Sequence, residues 1–257
     1  MQFTFKYLPL ISFIFLTSFS LTEGKKIDIV FIGDSITEGS ALADPSTEAT
    51  PLFVEQMLKA NNHVASVRVA NRGFSGHTTC DFLPAAATDF PKVLEAANAF
   101  AQDKEATLIF SIMLGTNDSA VSGTNGSPVS PADYRRNLKT IMDALLDRFP
   151  GAKFVLQYPT WYSPNTHNGA TYLQEGLERL GSYYPQIDSL IQEYKITHPH
   201  QVFAGDRSAF RIFKKGYRTL LKPEQGKDGV FYLHPNTEGS KELAKIWTKG
   251  ILKTILP

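Results

Sequence analysis

An α/β fold with a parallel sheet covered by helices on both faces is predicted by three observations. Short apolar runs alternate about four times with segments of helical spacing, which is the signature of strand–helix crossovers. The mature part shows no internal repeat, linker or low-complexity stretch, so 25–257 reads as one domain. The chain has 257 residues, 42% of them apolar and 20% charged, enough to bury a sizeable core.

The elements follow in order. Ile27 to Ile32 (IDIVFI) is an apolar run ending at Gly33, a buried-strand signal. Pro51 to Ala60 has helical spacing, and Val64 to Ala70 is β-branched and strand-like. Pro91 to Lys104 is helical, with Pro91 at a first helical position. Leu108 to Leu114 (LIFSIML) is a third strand, again followed by glycine. Ser130 caps an amphipathic helix over Pro131 to Phe149, with apolar Leu138, Ile141, Met142 and Leu145 on one face. Lys153 to Tyr158 is a fourth strand, Tyr172 to Tyr194 a helix broken near Pro185, and Gln201 to Ala204 a short fifth strand. Asn236 opens the last helix, which runs to about Thr254. In an open sheet of this kind, ligands sit beyond the strand C-termini, near a topological switch.

Other features narrow the function. With 26 basic and 25 acidic side chains the net charge is +1, which argues against a polybasic nucleic-acid binder. The single cysteine, Cys80, excludes an intrachain disulfide framework and a cysteine-based zinc cluster. Neither a metal nor another cofactor is expected. Residues 1–20 combine one early lysine, a short apolar stretch and small residues near the end, the pattern of a secretory signal peptide. The expectation is therefore an exported protein, secreted or periplasmic, with no stable membrane insertion of the mature chain.

The predicted strands end in chemically loaded loops. The first carries Gly33-Asp34-Ser35-Ile36-Thr37-Glu38-Gly39, the second Asn71-Arg72-Gly73-Phe74-Ser75-Gly76-His77-Thr78-Thr79, and the third Gly115-Thr116-Asn117-Asp118. His234-Pro235-Asn236 stands before the terminal helix. In this order and near this spacing, the four blocks resemble those of the SGNH hydrolases, the GDSL-like esterases and lipases. The resemblance covers the whole mature chain. It implies a three-layer α/β/α sandwich with a five-stranded parallel, flavodoxin-like sheet, and a serine hydrolase acting on ester bonds.

The resemblance also implies roles. Ser35 matches the nucleophile, whose hydroxyl needs a base to take its proton. His234 matches that base. Gly76, through its backbone N–H, and Asn117, through its side-chain amide, match donors to the negative oxygen of the tetrahedral intermediate, with the Ser35 N–H as a third. Asp34 and Asp118 read as short carboxylates holding their loops through backbone N–H bonds, and Arg72 as a partner for one of them. The pattern departs at the triad acid: the family's Asp-x-x-His places Phe231 where the aspartate belongs. Asp228 is the first candidate, with Asp206 or a backbone carbonyl as alternatives.

Trp161 and Tyr162 follow the fourth strand and suggest a stacking platform for a sugar. His77 sits in an active-edge loop as a further substrate contact, and His167 shares that setting. The resulting expectation is removal of acetyl groups from carbohydrate esters. Its alternatives are a lysophospholipase- or thioesterase-type acyl hydrolase, an acyltransferase, and an inactive glycan-binding module.

Overall fold

The computed structural model describes residues 1–3 and 24–256. Apart from its first three positions, the expected signal segment lies outside the described residues. Among the described residues, no helix is long and apolar enough to cross a membrane.

Five strands form one parallel sheet: β1 (Lys25–Gly33), β2 (Val64–Gly73), β3 (Thr107–Met113), β4 (Lys153–Leu156) and β5 (Val202–Ala204). Their order is β2-β1-β3-β4-β5. The chain runs outward from β1 to β2 and then returns past β1 to β3, so the switch point lies between β1 and β3. Among the described residues, eight α-helices accompany the strands: α1 (Ser35–Glu38), α2 (Pro45–Glu48), α3 (Thr50–Lys59), α4 (Phe90–Phe100), α5 (Pro131–Arg148), α6 (Leu173–Thr197), α7 (Ala209–Leu220) and α8 (Thr237–Ile255).

Alternation along the strands divides the core into two. Val30 and Ile32 of β1, with Phe110 and Ile112 of β3, pack against Val93 of α4, Leu138 and Ile141 of α5 and Leu180 of α6. Ile29 and Phe31, with Ile109 and Met113, face the other way onto Val54 of α3, Phe213 of α7 and Leu243 and Trp247 of α8. Both faces of β1 and β3 are buried, so their sequences read as continuous apolar runs. This is the expected α/β/α sandwich with a five-stranded parallel sheet.

Two segments after β4 differ from the sequence reading. Helix α6 continues through Pro185 without a break. Pro185 and Gly181, whose carbonyl loses its usual i+4 donor, both lie on the exposed side of the helix, where water can solvate that carbonyl. The segment after β5, which carried no assignment, forms α7 and an antiparallel hairpin, β6 (Leu221–Gly226) and β7 (Gly229–Pro235), separate from the main sheet.

Candidate active site

The strand register brings three loaded loops to one level. Gly33 pairs with Gly73 on one side and Met113 on the other. The chain therefore leaves β1, β2 and β3 side by side at the switch point, and Phe74 N–H donates to Gly33 O (3.0 Å).

Ser35 opens α1. Asp34 caps this short helix, its Oδ1 accepting from Ile36 N–H (2.9 Å), and Gly39 ends it in the left-handed region. Gly33 is required by packing, because a Cβ there would lie 2.0 Å from Thr37 Oγ1. The turn holds Ser35 at 6% exposure, with Oγ 3.0 Å from His234 Nε2.

His234 lies on β7, and its Nδ1 faces Glu224 of β6, 2.8 Å from Oε1 and 3.0 Å from Oε2. The structure thus places Glu224, a residue the sequence reading did not name, where Asp228 was expected. Asp228 sits in the hairpin turn, six residues or about 20 Å of extended strand from His234. Its half-exposed carboxylate is occupied instead by His167 Nδ1, at 2.8 Å. Asp206 is likewise engaged elsewhere, accepting from Ser208 N–H (2.8 Å).

The hairpin explains how an acid ten residues before the histidine reaches it. Glu224 pairs with Phe231 and Pro223 with Tyr232, but Leu221 pairs with Pro235. β7 therefore spends one extra residue between Tyr232 and Pro235. In a regular ladder His234 and Glu224 would point to opposite faces; the extra residue turns His234 onto the face of Glu224. The ribbon is held in place from both ends. Asn236 Oδ1 caps α8 by accepting from Gly239 N–H (2.9 Å), while its Nδ2 donates to Thr219 O (2.8 Å). On the other side, the loop after β4 grips β7: Ser163 N–H donates to Tyr232 O (2.8 Å), and Asn165 Nδ2 to Val230 O (2.9 Å).

Gly76 and Asn117 meet through the residue between their loops. Gly76 adopts φ +79°, and a Cβ built there would have nothing within 4 Å, so the space on that side of the loop is open. Asn117 is 2% exposed; its Nδ2 donates to His77 O (2.8 Å), leaving its second N–H for another acceptor. A backbone N–H and a half-used side-chain amide are the donor types an oxyanion requires.

The two buried aspartates brace these loops. Asp118 accepts from Thr79 N–H (3.0 Å) and from the Thr79 hydroxyl, tying the β2 and β3 loops together. Burial outweighs those donors and pushes its carboxyl up to about 7; burial also raises Asp34 to about 6. Arg72 pairs with neither, donating instead to the carbonyls of Lys92 (3.0 Å) and Asn71 (3.0 Å).

The proposed substrate contacts fare differently. Trp161 (6% exposed) belongs to the core on the α3/α8 side and packs on Tyr217. Tyr162 is fully buried, and its hydroxyl meets Ser119 Oγ at 2.9 Å. Neither presents a ring to solvent, so the stacking platform is corrected to loop core: the chain after β4 folds back under itself and swallows both rings. His77 is held at Nδ1 by Asp89, which also binds Lys92 (2.9 Å), and keeps about a third of its side chain exposed. Among the described residues, no group of three or more His, Cys, Asp or Glu side chains is arranged to hold a metal ion.

An α/β sandwich with a serine–imidazole pair at its switch-point edge is the architecture of a serine hydrolase, and the family that the chain matches makes it a carboxylic ester hydrolase. Residues 31–241 match the GDSL-like lipase/acylhydrolase family, and the chain belongs to that family. No curated protein sequence gives a significant match. Among solved structures, Axe2, an acetylxylan esterase from Geobacillus stearothermophilus, is similar at 22% identity and TM-score 0.56, with 91% of this chain and 96% of that one covered. Est24, a carbohydrate acetylesterase from Sinorhizobium meliloti, is similar at 17% identity and TM-score 0.57, with 89% and 99% covered.

Proposed function

We propose that this hydrolase removes short acyl groups, acetyl above all, from carbohydrate esters through an acyl-enzyme on Ser35. The observation that carries the mechanism is the unbroken relay from Ser35 Oγ to His234 Nε2 (3.0 Å) and from His234 Nδ1 to Glu224 Oε1 (2.8 Å). His234 takes the Ser35 proton as Oγ bonds to the acyl carbon. Glu224 holds the tautomer that leaves Nε2 free and stabilises the imidazolium that forms. The negative oxygen of the tetrahedral intermediate meets the N–H groups of Ser35 and Gly76 and the free N–H of Asn117 Nδ2. His234 then passes its proton to the departing alcohol oxygen. Water, deprotonated by the same imidazole, releases the acid and restores Ser35.

The substrate class draws its support from the named activities of Axe2 and Est24, whose folds this chain shares. Trp161 and Tyr162 lend it none, being buried. Export is part of the same reading and rests on the N-terminal sequence pattern. N-terminal sequencing of protein collected outside the cytoplasm of an expressing cell should begin beyond about residue 20; an intact Met1 there overturns signal cleavage, and recovery from the cytoplasm alone overturns export.

The test of function compares p-nitrophenyl acetate with p-nitrophenyl octanoate for the wild type and Ser35→Ala. Acetate turnover that Ser35→Ala abolishes, with acetate released from acetylated xylo-oligosaccharides, is the expected result. Preference for octanoate points instead to a longer-chain acyl hydrolase. Transfer to an added alcohol in place of hydrolysis points to an acyltransferase, and turnover of neither ester to a glycan-binding module.

A further inference from the structure

An oxyanion donor supplied by an asparagine side chain has a weakness that a backbone N–H lacks. Rotation of the amide by half a turn replaces the donor with a carbonyl oxygen, which repels the charge it should hold. Something must fix Asn117 in the useful orientation. His77 O does part of this by accepting from Nδ2 (2.8 Å). The remaining polar atom, Oδ1, accepts from Tyr172 O–H at 2.6 Å.

We infer that Tyr172 is a positioning residue of the oxyanion site: its phenolic O–H, bonded to Asn117 Oδ1, fixes the amide so that Nδ2 faces the substrate's acyl oxygen. Together the two partners grip the amide at both ends. One Nδ2 proton goes to His77 O, Oδ1 goes to Tyr172, and only one proton of the side chain remains to be given. Because His77 follows Gly76 directly, the same grip ties the side-chain donor to the loop that carries the backbone donor.

Local features hold the hydroxyl in place. Tyr172 is 3% exposed, and burial raises its phenol well above the ordinary value, so it remains a neutral donor at working pH. Its ring lies edge-on to Tyr162, with centroids 5.4 Å apart, and this packing needs no hydroxyl. The next residue, Leu173, adopts φ +55°, a left-handed conformation rare for a bulky side chain. There the N–H groups of both Tyr172 and Leu173 turn onto Thr166 O (3.1 and 3.3 Å), and α6 starts at once with Gly176 N–H donating to Tyr172 O (2.8 Å). Backbone strain persists where the surroundings over-determine it, and such positions gather at functional sites. The strained residue is adjacent to the one whose hydroxyl reaches Asn117.

The inference rests on Asn117 acting as an oxyanion donor, and a double-mutant cycle separates the two claims. Tyr172→Phe keeps the ring and removes the hydroxyl. Its kcat on p-nitrophenyl acetate should fall roughly tenfold, an intermediate fraction of the roughly hundred- to thousandfold loss of a missing donor, with KM within about twofold. In an Asn117→Ala background the same change should cost less than about twofold, since no amide is left to orient. A boronic acid that forms a tetrahedral adduct on Ser35 should bind wild type more tightly than Tyr172→Phe by the same factor as the kcat loss. If Asn117→Ala keeps wild-type kcat, the oxyanion reading itself falls. If Asn117→Ala is slow and Tyr172→Phe is not, only the positioning role falls. An equal loss in both backgrounds also overturns it, since the hydroxyl would then act elsewhere.

Discussion

Glu224 and His234 face each other across a bulged two-stranded ribbon, with Oε1 2.8 Å from Nδ1, although ten residues separate them in the chain. In the usual family arrangement acid and base are close neighbours in sequence. Here the same contact is made between strands, and the exposed aspartate nearest the histidine in sequence is taken by His167.

This relationship separates two carboxylates by one assay. Glu224→Gln should lower kcat on p-nitrophenyl acetate by about a thousandfold or more, because a neutral amide neither selects the tautomer nor stabilises imidazolium. Asp228→Asn should stay within about threefold of wild type, as its bond to His167 lies on an exposed surface. The reverse ranking would return the acid role to Asp228.

The buried Asp118 predicts a dependence of stability on pH. In the folded protein burial pushes its carboxyl up to about 7, against 3.8 for an ordinary aspartate, the value the unfolded chain approaches. Between these values the folded state holds a proton that the unfolded state has released. The stabilisation is therefore complete below the unfolded value and is lost as pH rises through the folded one. Asp34, at about 6, acts in the same direction. Thermal unfolding should show Tm falling from about pH 5 to pH 8, and Asp118→Asn, which mimics the protonated acid, should flatten the slope. Parallel slopes for the two proteins would show that Asp118 titrates normally.

Trp161 should behave as core. Trp161→Ala leaves a hole beside Tyr217 and should cost about 3–5 kcal/mol in stability, measured by urea unfolding. Below the variant's Tm, KM for a soluble acetylated oligosaccharide should change little. A large rise in KM with unchanged stability would restore the ring to a substrate-binding role.

The uneven legibility of the site has a physical basis. Ser35, Gly76 and Asn117 are readable because each sits a few residues beyond a strand whose apolar run is plain, and parallel register then brings the loops together. His234 is readable because Pro235-Asn236 announces the cap of α8. Glu224 is not, because its segment, LKPEQG, contains a proline and little alternation, and its meaning depends on a pairing partner and one extra residue in β7. Trp161 and Tyr162 mislead for the opposite reason. Their place after a strand is visible in the sequence, whereas the inward fold of their loop is a tertiary result. Pro185 carries a strong local preference against helix, overridden where the freed carbonyl reaches water.

Base and carboxylate travel on one ribbon that shares no backbone ladder with the main sheet. Their mutual alignment therefore depends on the ribbon's own pairing, and their distance from Ser35 on how the ribbon is moored. Loosening of the ribbon's moorings at Ser163 or Asn236 would withdraw the assembled pair as a unit, silencing the serine while the imidazole stays correctly dressed.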